Sequence, residues 1–427
     1  MKAAFYTLGC KVNQYETQLM AEHLQRAGYE IVDCSEKADV YVINSCTVTA
    51  VSNQKTRQTL RAFKRKYPDC ITVLAGCMSQ AYPLEAKALS EADIVIGNTE
   101  HKQLAALIEK KAARQERIFD ICPHEPKEAF ESGSISAFSG KTRAEVKIED
   151  GCNRFCSYCA IPYARGRVRS KPIAVLKEEI KTLAQKGYKE VVLVGINLSA
   201  YRDGDADIAA AVLTCAAVSG IERVRLGSLE PDHITDDIIR RLQSCEKFCP
   251  QFHISLQSGC DTTLKAMNRH YTAAEYAALC RKLRACWDDC TLTTDVMVGF
   301  PGESEADFEH SLAFVKRIAF EKVHVFPYSV REGTKAAAMP GQLSKALKAQ
   351  RAKKMIACTE AIRKDFFTSQ IGKEYEVLFE TKKGNVQTGH TKNYIPIEVH
   401  TDTPLQNQMH KVKITAANTE RCVGELA

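Results

Sequence analysis

Apolar positions along residues 1–115 fall into short runs, each followed by a stretch of helical period. "AAFYTL" reads as a strand and "NQYETQLMAEHLQRAG" as an amphipathic helix closed by Gly28. "VYVIN", "ITVLAG" and "IVIG" repeat the strand pattern. Each is followed by a helical one: a basic stretch from about Thr49 to Tyr67, then "YPLEAKALS", then "HKQLAALIEKKAAR". Strands and helices alternating over short joins predict a doubly wound parallel sheet. From Asp120 to Arg143 periodicity stops and Pro, Gly and Ser accumulate, so residues 116–143 read as a linker.

Alternation resumes over 144–369. "AEVKIE", "EVVLVG", "RVRLGS", "FHISLQ", "LTTDVMVGF" and "KVHVFPY" predict six strands with helices between them. Six units suggest a partial (β/α)6 barrel rather than a closed eightfold one. A long basic helix from about Ser344 to Gln370 follows. Residues 370–427 then change to short strands and turns, a small β domain. The fold class is therefore α/β with a small all-β tail.

The chain has 427 residues, too many for one core, and 45% hydrophobic content with 26% charge is ordinary for a globular protein. No apolar run approaches the ~20 residues of a membrane span, and the first residues are too polar for a secretory signal. A cytoplasmic setting is expected, with no membrane partner. Eighteen cysteines then point to metal or redox chemistry rather than a disulfide scaffold, although buried cysteine also serves as a small hydrophobe. The net charge of +7 is unevenly spread. Gln54 to Lys66 holds six bases and no acid, including Lys55, Arg57, Arg61, Lys64 and Arg65. Such runs suit phosphate contacts, and equally a solvated helix face.

"DGCNRFCSYC" places Cys152, Cys156 and Cys159 in a C-x3-C-x2-C loop after the first strand of the middle region. Three thiolates hold three irons of a cubane and leave the fourth open to a chelating small molecule. The alternative is a structural zinc site closed by a remote ligand. Cys10, Cys46 and Cys77 lie far apart in sequence, yet each stands just past the carboxyl end of a strand in the first sheet. Those ends lie side by side in a parallel sheet, so the three converge and suit a second three-thiolate site. Three unrelated buried thiols are the plainer reading. Cys280, Cys286 and Cys290 surround the one tryptophan, Trp287, but fall on or after predicted helices and read as core.

The first loop, with Tyr158 before its last cysteine, resembles the signature of the radical S-adenosylmethionine enzymes. The two triplets together resemble the methylthiotransferase family over nearly the whole chain, and the tail resembles a TRAM domain. "TLGCKVNQYET" and "VGINLSAY" are most similar to the branch acting on tRNA that carries N6-threonylcarbamoyladenosine at position 37. The resemblance implies two [4Fe–4S] clusters, S-adenosylmethionine as radical source and methyl donor, and a 2-methylthio product. It also implies a sulfur donor and a reductant such as flavodoxin or ferredoxin. Related branches act on isopentenyladenosine 37 or on an aspartate of ribosomal protein S12. A non-catalytic, metal-containing RNA-binding protein is the reading from another class.

Other strand ends at the same mouth offer candidates for S-adenosylmethionine: Gly195, Asn197, Ser228, Glu230, Gln257 and Arg269, with Ser255, Asp295, Gly299 and Glu303 nearby. The Arg269 fork suits a carboxylate or phosphate. In the tail, Lys382, Lys383, His390, Lys392 and Tyr394 combine bases with an aromatic, a set suited to tracking phosphate and stacking on a base. An adenosine in an anticodon loop is already single-stranded and turns into a cleft at modest cost.

Overall fold

The computed structural model describes residues 1–138 and 140–427. Its first six strands form one parallel sheet: β1 (Lys2–Thr7), β2 (Glu30–Val32), β3 (Val40–Ser45), β4 (Ile71–Gly76), β5 (Ile94–Ile96) and β6 (Ile118–Asp120). Their spatial order is β2-β1-β3-β4-β5-β6. Alternate residues of β3 face opposite cores. Val40 and Val42 pack with Met20 and Leu24 of helix α1 (Lys11–Arg26), while Tyr41 and Ile43 pack with Leu60 of helix α2 (Ala50–Lys66). Both faces are covered, which is why β3 is buried throughout. The pattern missed β2 and β6, three-residue edge strands, and β6 lies in the stretch read as aperiodic.

The middle region has six parallel strand positions. β7 (Arg143–Lys147), β10 (Glu190–Val194) and β11 (Arg223–Leu226) form one sheet in the order β11-β10-β7. β12 (Ser228–Leu229), β13 (Gln251–Ile254), β14 (Thr291–Val298) and β15 (Lys322–Pro327) form the next. β11 and β12 are one strand broken at Gly227, so the two sheets make an open barrel of six. A two-residue ribbon, β8 (Glu149–Asp150) against β9 (Arg169–Ser170), leads into and out of the first cysteine loop. Helix Lys345–Thr368 lies along the edge strand β15.

The tail is a closed five-stranded barrel of β16 (Glu374–Lys383), β17 (Val386–Thr391), β18 (Pro396–His400), β19 (Met409–Ala417) and β20 (Cys422–Leu426). Closure leaves no unpaired edge. Its β17–β18 turn plugs the amino-terminal mouth of the open barrel. Arg223 Nη1 donates to the His390 carbonyl at 3.1 Å, Thr291 Oγ1 to the Asn393 carbonyl at 2.5 Å, and Asn393 Nδ2 to the Asp289 carbonyl at 2.8 Å. Among the described residues, no helix is long and apolar enough to cross a membrane.

Candidate active site at the mouths of two parallel sheets

Cys10 follows β1, Cys46 follows β3 and Cys77 opens a short helix after β4. The register pairs Thr7 with Asn44 and Asn44 with Ala75, so the three cysteines stand two or three residues beyond one level of the sheet. The chain leaves β1 toward β2 and leaves β3 toward β4, with helices on opposite faces. Cys10 and Cys46 therefore flank the topological switch point, the crevice where such sheets bind ligands. Cys46 and Cys10 both raise the Cys77 thiol, and Cys46 raises that of Cys10. Burial is the larger influence and pushes the Cys77 thiol up to about 12. Gly9 permits the approach, since a Cβ there would meet Asn13 Oδ1 at 2.6 Å and Cys46 Cβ at 3.1 Å, and its φ is +122°.

The other triplet lies past β7 and the β8 ribbon. Gly151 sits at φ +84° with Arg167 O only 2.0 Å from where a Cβ would be, so no other residue fits this turn. Cys152 N donates to Gly166 O and Cys159 N to Cys156 O, both at 3.0 Å. Burial, with Cys156 adding, raises the thiols of Cys152 and Cys159 to about 12. Three cysteines gathered at a sheet mouth are a donor set that an iron–sulfur cluster would take as thiolates. In donor chemistry each triplet suits such a group, although among the described residues no three of these side chains already close around one metal-sized point.

A buried ion network joins the two triplets. Glu16 of α1 receives Lys147 Nζ at 2.7 Å and Arg165 Nη1 at 2.5 Å. Arg165 also reaches Asp150 at 3.3 Å, and Asp150 receives Lys147 at 2.6 Å and Arg169 at 3.4 Å. The third arm of Arg165 donates from Nε to Cys77 Sγ at 3.1 Å. Asp150 stands two residues before Cys152. Burial raises the Asp150 carboxyl, but Lys147, Arg165 and Arg169 outweigh it and hold it well below the usual carboxylate range. Sequence reading missed this network because its members come from segments far apart in the chain.

The predicted mouth residues divide. Three buried oxygens there lack a hydrogen-bond partner: Glu149 Oε1, Asn197 Oδ1 and Gln257 Oε1. Unsatisfied acceptors around one mouth suit a ligand rich in donors, as the amino group and ribose hydroxyls of S-adenosylmethionine are. Burial, with Asp150 adding, pushes Glu149 well above the usual carboxylate range. Gln257 holds a left-handed backbone at φ 64°. Gly195 admits Glu149, whose Oε2 would lie 2.6 Å from a Cβ there. Ser228 is exposed to the barrel lumen, and Ser255 lends its carbonyl to Tyr271 Oη at 2.7 Å. Arg269 is already engaged: it ion-pairs with Glu230 and donates to Cys156 Sγ at 3.3 Å. Tyr158 is packed edge-on against Phe300. Gly299 and Glu303 form a turn, with Gly299 N donating to Glu303 Oε1 at 2.9 Å and Arg351 pairing with that carboxylate. Cys280, Cys286 and Cys290 pack in or against the main core.

Two relatives decide the family. A threonylcarbamoyladenosine tRNA methylthiotransferase, MtaB, of Bacillus subtilis is 36% identical over 422 residues, covering 97% of this chain and 94% of its own. The enzyme of the same name from Aquifex aeolicus is 38% identical, covering 93% and 96%. The chain belongs to the MtaB-type methylthiotransferase family. It is a radical S-adenosylmethionine tRNA methylthiotransferase, and S-adenosylmethionine and [4Fe–4S] clusters are its cofactors. The Radical SAM superfamily matches residues 146–315, and the uncharacterized protein family UPF0004 matches residues 2–97. A tRNA-2-methylthio-N(6)-dimethylallyladenosine synthase of Clostridium novyi is 34% identical, covering 98% and 95%. Among solved structures, the radical S-adenosylmethionine methyltransferase TsrM of Kitasatospora setae shares the fold, with TM-score 0.59, 13% identity and coverage of 79% and 77%.

The residues expected to meet RNA separate in this family member. Lys382 and Lys383 are exposed on β16. His390 and Tyr394 stack on each other at 4.4 Å under the open barrel, with Arg143 and Arg225 against the Tyr394 ring, and Lys392 donates to the Glu246 carbonyl. On α2, Arg57, Arg61 and Lys64 pair with Glu85, Glu91 and Asp93, while Lys55 and Arg65 are exposed. An exposed aromatic pair was not anticipated. Phe155, at φ 50°, and Tyr163 meet edge-to-face beside the first cysteine loop, with Arg167 against the Phe155 ring.

Proposed function

We propose that this enzyme replaces the C2 hydrogen of N6-threonylcarbamoyladenosine 37 in tRNA with a methylthio group. Cys152, Cys156 and Cys159 would hold one [4Fe–4S] cluster and Cys10, Cys46 and Cys77 the other. The observation that carries the reading is the meeting of two three-thiol sets at facing sheet mouths, bridged by Arg165. When bound, the first cluster with S-adenosylmethionine supplies the radical chemistry and the second holds the sulfur. A sulfur donor and a reductant such as flavodoxin or ferredoxin would complete the reaction, in the cytoplasm where tRNA is modified.

The chain's own residues place the partners. Glu149, Asn197 and Gln257 offer free acceptors to S-adenosylmethionine, and Ser228 lines its approach from the lumen. Arg269, held by Glu230, orients the cluster loop through Cys156 rather than binding the methionine carboxylate directly. The ion network centred on Arg165 fixes the distance between the two sites and excludes water from between them. Lys382 and Lys383, a TRAM-like surface, would follow tRNA phosphates, while Phe155 and Tyr163 offer flat faces to unstacked anticodon-loop bases.

Nucleoside mass spectrometry of tRNA from a strain lacking the gene tests the substrate. Loss of 2-methylthio-N6-threonylcarbamoyladenosine, restored by the gene, is expected. Its persistence in the deletion strain, with loss of the isopentenyl methylthio derivative instead, would move the enzyme to the other tRNA branch.

A further inference from the structure

Closed β/α barrels fill their interior with branched apolar side chains. Here the lumen is a cavity of about 660 Å³ whose mixed wall carries several polar side chains. Alternation along the last three strands turns His253, Thr293, Asp295, Lys322 and His324 inward, while Phe252, Leu292 and Val296 pack outward into the core. Cys10 and Lys11 form the roof and Tyr394 the floor. Because the barrel lacks further strands, β15 is an edge. Beside it the lumen continues into a groove of about 380 Å³ that shares Lys322 and Tyr394 and adds Arg363 and Arg421 together with the carboxylates Glu321 and Glu420.

Within the lumen itself, two lysines, Lys11 and Lys322, face one carboxylate. Asp295 is the one carboxylate lining the lumen, and it receives His253 Nε2 at 3.2 Å. Lys322 has no carboxylate partner among the described residues, and the charged groups acting on it are Arg363 and Tyr394. His324 stands two residues along the same strand, its ring 5.8 Å from that of His253. Lys11 enters from the roof, close enough to act on Tyr394. Lys322 and His324 are exposed to this open space, so the ammonium is available as a charge-assisted donor to a ligand carboxylate.

We propose that Lys322, flanked by His324 and faced by Lys11, binds the carboxylate of the N6 substituent and so selects threonylcarbamoyladenosine over adenosines with apolar N6 groups. The proposal rests on the substrate reading above. A threonylcarbamoyl group ends in a free carboxylate beside a hydroxyl and a urea. An isopentenyl group has no polar atom and would leave the wall of this lumen unsatisfied, which is the strong form of discrimination. The roof cysteine shares the cavity, so an arm anchored at Lys322 holds its base below Cys10.

The test uses reconstituted enzyme and anticodon stem-loops carrying either threonylcarbamoyladenosine or its methyl ester, which differs only in the charge. Wild-type enzyme should favour the acid over the ester by about tenfold or more in kcat/KM, as expected of a charge-assisted hydrogen bond. Lys322→Met should bring that ratio near one by raising KM for the acid, and Lys322→Arg should restore the preference. Binding of both stem-loops to the same proteins, followed by fluorescence anisotropy, should show the same pattern without turnover. An acid-to-ester ratio unchanged in Lys322→Met overturns the proposal and leaves the substrate reading standing. An increase in KM for S-adenosylmethionine, equal with both stem-loops, overturns it by assigning Lys322 to the cofactor's carboxylate. Wild-type action on isopentenyladenosine alone removes the substrate reading and the proposal together.

Discussion

Arg165 donates from Nε to Cys77 Sγ at 3.1 Å and reaches Glu16 with both other nitrogens. One side chain, from just past the first cysteine loop, thus grips a thiol of the other triplet. Its guanidinium is fully buried, so the contact depends on the acids beside it. Arg165→Met would leave Glu16 and Asp150 short of positive charge in the interior. Loss of one partner from a buried charge pair costs roughly 3–5 kcal/mol. Thermal unfolding should show a markedly lower Tm for Arg165→Met. Arg165→Lys should recover only part of it, because an ammonium lacks the fork that serves Cys77 and Glu16 at once. A Tm equal to wild type in Arg165→Met would mean the network does not hold the two sites together.

A second buried pair fixes the stretch between the sheets. His101 Nδ1 meets Glu131 Oε2 at 2.7 Å, and His101 N donates to Glu131 Oε1 at 2.8 Å. Burial lowers the His101 imidazole, but Glu131 more than reverses that and leaves its pKa raised. Burial raises Glu131, yet His101 outweighs it and holds the carboxyl at about 2. The raised histidine contributes stability that is complete below its unfolded pKa of about 6.5 and fades as pH rises through the folded value. The depressed glutamate contributes above its unfolded pKa of about 4.3 and fades as pH falls toward 2. Melting curves across pH should therefore show the largest gap between wild type and His101→Gln near pH 5–6, narrowing on either side. A gap independent of pH would show that packing, not charge, sets the contribution.

Of the tail residues expected to meet RNA, Lys382 and Lys383 are the exposed pair, with Lys382 Nζ donating only to the Asp402 carbonyl at 3.1 Å. The double variant Lys382→Glu, Lys383→Glu should bind tRNA more weakly at low salt. Each lost phosphate contact lowers the slope of log K against log salt by about 0.9 for duplex and about 0.7 for single strands. A filter-binding series across salt should give a slope shallower by roughly 1.4 to 1.8. An unchanged slope would place the phosphate path elsewhere, with Lys55 and Arg65 of α2 among the exposed bases to test next.

How far the sequence revealed this site depends on how local each signal is. The placement of Cys10, Cys46 and Cys77 just past three neighbouring strand ends was legible because parallel-sheet logic puts equivalent loops side by side, whatever their separation in sequence. Cys152, Cys156 and Cys159 were legible from spacing alone. Arg165, Glu16 and Asp150 were not, since no periodicity links a helix residue of the first sheet to a turn of the second. Arg269 read as a ligand fork, and only the fold shows Glu230 and Cys156 already occupying it. His390, Lys392 and Tyr394 looked like a basic, aromatic RNA surface. The β17–β18 turn instead packs against the open barrel, and a residue's own neighbours in sequence carry no sign of that docking. Lys322 and His324 were read only as part of a strand, and their charge gained meaning when the barrel proved open beside β15.

The central claim is that the two cysteine triplets hold separate clusters with separate tasks. Anaerobic reconstitution of wild type and of the triple variant Cys10→Ala, Cys46→Ala, Cys77→Ala, with iron analysis and product analysis on the same samples, tests it most directly. Two four-iron cubanes predict about eight irons per wild-type chain and about four in the variant. The variant should still cleave S-adenosylmethionine to 5′-deoxyadenosine and form no methylthio product. Methylthio product from the triple variant, or an unchanged iron content, would contradict the account.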